Sequence, residues 1–78
     1  PEFPSAHSNL GIALCQLGRV PEGVTHLRDA LRLDPDCVEA HFNLALALRE
    51  LGQPDEARFH YQEAVRIDPR YVSPEGGR

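Results

Sequence analysis

The chain of 78 residues contains no methionine, no tryptophan and no lysine, and only two cysteines. Without a start methionine, we expect the sequence to be a piece of a longer protein. Cys15 and Cys37 form neither a CxxC motif nor a dense disulfide framework, so we expect reduced thiols, which favours an intracellular, cytoplasmic location. No apolar run approaches the ~20 residues that a membrane span needs, and we predict no membrane association.

Positive charge is also scarce. The eight basic residues, all arginine, are outnumbered by 12 acidic residues, which gives a net charge of −4. Because binding to a phosphate backbone needs a cationic surface, this composition argues against a nucleic-acid partner. At the same time, 41% of the residues are apolar, which is too many for a disordered tail. We expect one small domain with a marginal core.

A repeat with a period of 34 residues organises the sequence. When the chain is shifted by 34 positions, 14 residues of one unit coincide with identical residues of the next, without a gap. In the first unit these positions are Ala6, His7, Asn9, Leu10, Ala13, Leu14, Leu17, Gly18, Glu22, His26, Ala30, Arg32, Asp34 and Pro35. We therefore predict a first unit at 4–37, a second at 38–71 and a flexible tail at 72–78. Residues 1–3 have the character of an expression-vector remnant and are left out of the fold prediction.

Each unit has the pattern of two helices joined by a short turn. Leu44, Leu48 and Leu51 recur at steps of four and three, which predicts one core-facing stripe of a helix. Gly18 and Gly52 predict helix ends, because glycine adopts the left-handed conformation at least cost.

Asp36 is the predicted N-cap of the third helix, with Glu39 as its capping-box partner. The prediction is an all-α fold of two antiparallel helical hairpins. Its four helices are expected near residues 5–17, 21–33, 37–51 and 54–67.

This pattern resembles the tetratricopeptide repeat over about 68 of the 78 residues. The resemblance is carried by the period and by Leu10, Gly11, Leu44, Ala45, Ala57, Tyr61, Ala64 and Pro69. The sequence departs from the family where tryptophan is common (His7 and His41), where tyrosine is usual (Leu14 and Leu48), and at Gly23, which replaces a small alanine. We expect Gly23 to weaken its helix by up to ~1 kcal/mol relative to alanine.

A second stripe on the first helix of each unit supplies the candidate binding residues. Phe42 and Leu46 each lie ~200° around the helix from the core leucine two positions on, so they cannot face the same way. By the resemblance, this face lines a concave groove that holds peptides. The candidate partner-binding residues are Ser8, Asn9, Ile12, Phe42, Asn43, Leu46 and Arg49, flanked by Cys15, Gln16, Glu39 and Glu50.

Two asparagines sit beside that stripe, Asn9 and Asn43. An amide side chain both donates and accepts, so it can pair with a peptide backbone of any sequence. By the resemblance, they occupy the position of the asparagine ladder of O-linked N-acetylglucosamine transferases. Alternatively, they hold the geometry between the repeats. The absence of lysine excludes the carboxylate-clamp subtype of the family, which needs lysines on this face.

Four histidines raise the question of a metal. His7 and His41 are one repeat apart, as are His26 and His60, and stacked helices lie ~8–10 Å apart. Because each zinc ligand atom lies ~2 Å from the ion, repeat-equivalent histidines are not expected to share one, and we predict no metal. No nucleophile–base pair or glycine-rich phosphate loop is recognisable, so we predict that the chain is not an enzyme and binds no cofactor.

The leading prediction is a protein–protein interaction module that binds a peptide or protein segment, as part of a longer protein. One alternative is a self-assembly module that stacks into homo-oligomers through Phe59, Val65 and Ile67, which lie off the inner stripe of the last helix. Another is the targeting arm of a larger enzyme, such as a glycosyltransferase.

Overall fold

The computed structural model describes residues 3–71, which form four helices and no strand. The helices are α1 (Pro4–Gln16), α2 (Val20–Leu33), α3 (Val38–Glu50) and α4 (Pro54–Ile67). Each end lies within about one residue of its predicted position. α1 packs along α2 and α3 along α4, so the predicted pair of hairpins is confirmed. The predicted tail at 72–78 and the first two residues lie outside the described range.

Both first helices end in the same hydrogen-bonded turn, as the two glycines predict. Gly18 and Gly52 have positive φ angles of 84° and 78°. The N–H of Gln53 donates to the carbonyl of Leu48 at 2.9 Å, and the N–H of Gly52 donates to Arg49 at 3.1 Å. This is the Schellman pattern, which satisfies the last carbonyls of a helix and reverses the chain.

The predicted N-cap of α3 is wrong. The cap residue is Cys37, and no side chain caps the helix. Asp36 lies in the preceding turn, where its N–H donates to the Asp34 carboxylate at 3.1 Å. Asp36 is part of this turn and lies one residue before the cap position, so its side chain does not cap α3.

The hydrophobic core is centred where the two hairpins meet. Leu27 of α2 packs with Leu44 and Leu48 of α3, and all three are fully buried. Leu51, which was predicted to belong to the same core-facing stripe, is 40% exposed, so that part of the prediction is wrong. The equivalent stripe of α1 is more exposed throughout: Leu10 is 45% exposed and Leu17 is 73% exposed. The difference follows from the neighbouring helices: α3 packs against both α2 and α4, whereas α1 packs mainly against α2.

Glycines set the distance between α1 and α2. A Cβ atom built on Gly23 would lie 2.6 Å from the carbonyl oxygen of Gly11 and 2.5 Å from the sulfur of Cys15. A Cβ on Gly11 would lie 2.8 Å from the carbonyl oxygen of Gly23. The expectation that Gly23 merely weakens α2 is therefore incomplete, because this glycine also permits a close backbone crossing.

Candidate functional site

A groove between α1 and α3 is the candidate binding site, with a volume of about 240 Å³. Its lining combines residues from the first helix of each repeat: Ile12, Cys15, Gln16, Asn43, Leu46, Ala47 and Glu50. The structure thus brings together three of the predicted binding residues, Ile12, Asn43 and Leu46. Ile12 and Leu46 are repeat equivalents that contribute the aliphatic part of the surface.

The polar part of the groove consists of two amides and one carboxylate. Asn43 donates from Nδ2 to the backbone carbonyl of Glu39, one turn earlier, at 2.9 Å. One amide hydrogen is therefore directed to its own helix, and the side chain is held in place within the groove. Gln16 and Glu50 complete the polar lining, and none of the seven lining residues is basic.

Cys15 is a groove residue whose thiol pKa is shifted by its surroundings. Burial, and then the negative charge of Glu50, raise the pKa of the Cys15 thiol. Since the thiolate is the reactive form of cysteine, the raised pKa keeps this thiol protonated and weakly nucleophilic. Cys15 contributes polarizable surface to the groove and not an activated nucleophile.

Other predicted binding residues do not line the groove. Ser8 is fully buried, so its predicted place on an accessible surface is wrong. Phe42 is half-buried, with its ring 5.3 Å from that of Tyr71 and 6.5 Å from that of Tyr61. Its aromatic face is used within its own repeat, because the chain after α4 returns beside α3. Asn9 and Arg49 are exposed outside the groove lining.

A pair of histidines joins the two helices of the second hairpin. His41 Nε2 lies 2.8 Å from the carbonyl oxygen of Pro35, which can only accept, so His41 donates there. In a neutral ring His41 Nδ1 then accepts, and His60 Nδ1 donates to it at 3.1 Å. Burial, and next the neighbouring His41, lower the pKa of His60, although Glu56, 3.5 Å from His60 Nε2, acts in the opposite sense.

The corresponding histidines of the first hairpin are arranged differently. The rings of His7 and His26 are stacked with centroids 5.8 Å apart. A nitrogen of each ring and a carboxylate oxygen of Asp29 lie within 4.8 Å of one another. The sequence argument compared histidines one repeat apart and so missed the pairs inside each hairpin. The two histidines are 19 positions apart in both units because they are repeat equivalents, so this spacing does not by itself show that they meet.

A comparison with protein families agrees with this architecture. A family model described as tetratricopeptide repeat matches residues 8–72, which is most of the chain. The chain belongs to the tetratricopeptide repeat family. A search of curated proteins gave no significant match.

Tetratricopeptide repeats are generally protein–protein interaction modules, typically scaffolds without catalytic activity. The match extends through both hairpins, so both walls of the groove are part of the repeat. Among the helices of residues 3–71, none has the length and apolar character of a membrane-spanning segment.

Proposed function

We propose that this tetratricopeptide repeat chain is an interaction module that binds an extended peptide segment in the groove between α1 and α3. The observation that carries this proposal is the lining itself, in which Ile12 and Leu46 stand beside the amides of Gln16 and Asn43. Aliphatic side chains favour burial of an apolar peptide side chain, and amides can pair with a peptide backbone.

The size and charge of the groove narrow the class of ligand. A volume of about 240 Å³ is below the ~300–1,000 Å³ of pockets that enclose drug-sized molecules. It suits one or two side chains of a segment that continues across the surface. Glu50 is the charged lining residue, so the preferred segment carries an apolar residue next to a basic one. The negative net charge of the chain favours the same partner.

The same lining supports a binding role over a catalytic one. Its titratable groups are Glu50 and Cys15, and the pKa of the Cys15 thiol is raised. A cysteine nucleophile needs a partner that lowers its pKa, typically a histidine or a helix N-terminus. The adjacent carboxylate has the opposite effect.

Binding can be tested with a panel of fluorescein-labelled octapeptides in an alanine–serine background. Each peptide carries one leucine followed by arginine, alanine or glutamate. We expect the arginine peptides to bind most tightly by fluorescence anisotropy, and Leu46→Gln to weaken them at least tenfold. Glu50→Gln should reduce the preference for arginine.

Phe59→Ser is the matched control, because Phe59 is exposed on α4, outside the groove lining. It should leave peptide binding unchanged. Equal affinities of the parent chain and the Leu46→Gln chain, with unchanged circular dichroism, would contradict the proposed site.

A second candidate function, end-to-end self-assembly, is favoured by two exposed apolar surfaces. Phe59 on α4 is 53% exposed, and Leu10 and Leu17 are exposed on α1. Within the chain, α2 covers the corresponding face of α3, so α4 of one copy could cover α1 of the next in the same way. Of the residues first assigned to this contact, Val65 and Ile67 are half-buried and Phe59 is the most exposed.

Sedimentation over a concentration series distinguishes this candidate from peptide binding. Stacking predicts a mass that rises above 8.7 kDa with concentration and that falls back in a Leu10→Ser, Phe59→Ser double variant. A constant monomer mass up to millimolar protein would eliminate it. A role as the targeting arm of a larger enzyme stays a prediction about the parent protein.

A further inference from the structure

We infer that the first hairpin contains a zinc site formed by His7 of α1 with His26 and Asp29 of α2. These residues are separate from the peptide groove, whose lining includes none of them. The inference is therefore independent of the proposed peptide-binding function.

The geometry brings three suitable ligand atoms together. His26 and Asp29 are three positions apart on one helix, which places them on the same face. His7 approaches from the opposite helix, and one atom of each residue lies within 4.8 Å of the others. By zinc–ligand bond lengths of ~2.0–2.2 Å, ligand atoms around a tetrahedral ion are separated by roughly 3.3 Å. All three residues are half-buried, and binding of one ion requires their ligand atoms to approach one another to that separation.

His26 provides a second, independent observation. Its Nδ1 atom is buried and has no hydrogen-bond partner among the described residues. A buried polar atom without a partner is costly, and such atoms are uncommon in folded proteins. A metal ion held between the two helices would satisfy the ring with the chemistry that imidazole favours.

In the second hairpin the residues equivalent to the three candidate ligands contact one another or a neighbouring side chain. His60 Nδ1 is bonded to His41 Nδ1 at 3.1 Å, and Glu63, the equivalent of Asp29, accepts from Arg66 at 2.8 Å. In the first hairpin, by contrast, the Asp29 carboxylate lies 3.8 Å from the more exposed Arg32, a longer ion pair than the one that Glu63 forms with Arg66. An exposed pair of this kind is weak, so a metal can compete for the carboxylate.

The donor set selects the class of metal. Two imidazole nitrogens and one carboxylate suit zinc and similar divalent transition ions, whereas calcium and magnesium prefer an all-oxygen shell. Zinc in a tetrahedral site would take its fourth ligand from water. The site crosses from α1 to α2, so an ion bound there would also tie the first hairpin together.

The test is a titration of the 78-residue chain with ZnCl₂, in a Cys15→Ser, Cys37→Ser background that removes the thiols. Two-dimensional NMR should show one equivalent of zinc shifting the imidazole signals of His7 and His26, with those of His41 and His60 unmoved. MgCl₂ at the same concentration should shift none of them. A response confined to His41 and His60, or no response at 1 mM ZnCl₂, would overturn the inference.

Carboxylate variants at equivalent positions supply the matched comparison. Asp29→Asn should weaken zinc binding at least tenfold by calorimetry, and Glu63→Gln should change it less than twofold. His26→Gln should abolish binding while circular dichroism reports an intact helical fold. If His26→Gln fails to fold, the Asp29→Asn and Glu63→Gln pair decides. Equal affinities of those two variants would overturn the site.

Discussion

The two helices of the first hairpin approach closely at two glycines, and its two histidines are stacked, whereas the second hairpin has alanines at the equivalent positions and joins its histidines by a hydrogen bond. Gly11 and Gly23 stand where the second hairpin has Ala45 and Ala57. The difference shows that equivalent positions of a repeat carry different contacts when the residues around them change. Small substitutions at the helix crossing and on the facing helix alter how each pair of helices is held.

A second contrast concerns burial of identical residues. Leu10 and Leu44 are repeat equivalents, yet Leu10 is 45% exposed and Leu44 is fully buried. Leu44 lies on α3, against which α2 packs, while α1 has no described helix in the corresponding place. In a repeat protein each unit contacts only its neighbours, so a residue's burial depends on the neighbouring unit as much as on its own.

The largest expected effect follows from this contrast. Leu44→Ala should lower the free energy of unfolding by about 2–5 kcal/mol, because it leaves a cavity in the core. That loss is comparable to the whole stability of so small a domain. Leu10→Ala should cost less than about 1 kcal/mol. Urea denaturation followed by circular dichroism measures both, and similar costs for the two leucines would show that α1 is covered in solution.

An intermediate effect is expected at the helix crossing. Gly23→Ala should destabilise the chain by about 1–3 kcal/mol, since its methyl group would meet Cys15 and the backbone at Gly11. This outweighs the gain in helix propensity of up to ~1 kcal/mol. The reciprocal variant, Ala57→Gly, should cost about 1 kcal/mol through propensity. A Gly23→Ala chain more stable than the parent in urea would mean that α1 and α2 can separate at no cost.

The smallest expected effect is a pH dependence from the second hairpin. Since the pKa of His60 is lowered in the folded chain, the unfolded chain binds more protons below a pH of about 6.5. Stability should therefore be complete above that value and fall as the pH drops below it. Arg28 of α2 and His41 of α3 oppose the charged ring, while Glu56 favours it.

Thermal unfolding between pH 8 and pH 5 measures this dependence. The range stays above the region where Glu56 and Glu63, whose pKa values are lowered, take up protons. A His60→Gln chain should show a flatter profile over the same range. A parent chain that gains stability on acidification in this window would contradict the assignment of His60 as the responsible group.

The four helices and their turns could be predicted because their signals are local. A left-handed glycine after each first helix and a proline at the start of each second helix act through the backbone of a few residues. The absence of a side-chain cap on α3 could not be predicted, since it depended on how the turn at Asp34 and Asp36 folded.

The groove was predictable in part. Ile12, Asn43 and Leu46 follow from the angular position of the second stripe on each first helix. Phe42 was predicted to line the groove but does not, because its ring packs against Tyr71. The helical periodicity of α3 carries no information about a residue that follows α4. Ser8 is fully buried, and its burial depends on contacts with other helices, which the periodicity of α1 does not reveal.

The sequence by itself determined the period of the repeat and the type of each element, because the repeat is read directly from the residues and helix and turn signals act over short stretches of chain. The family followed from a resemblance, which the family model confirms. Only the tertiary structure decided which equivalent residues are buried and which histidines meet. These outcomes depend on distances between separate helices, and those distances follow from side chains far apart in sequence, such as the two glycines at one crossing and the two alanines at the other.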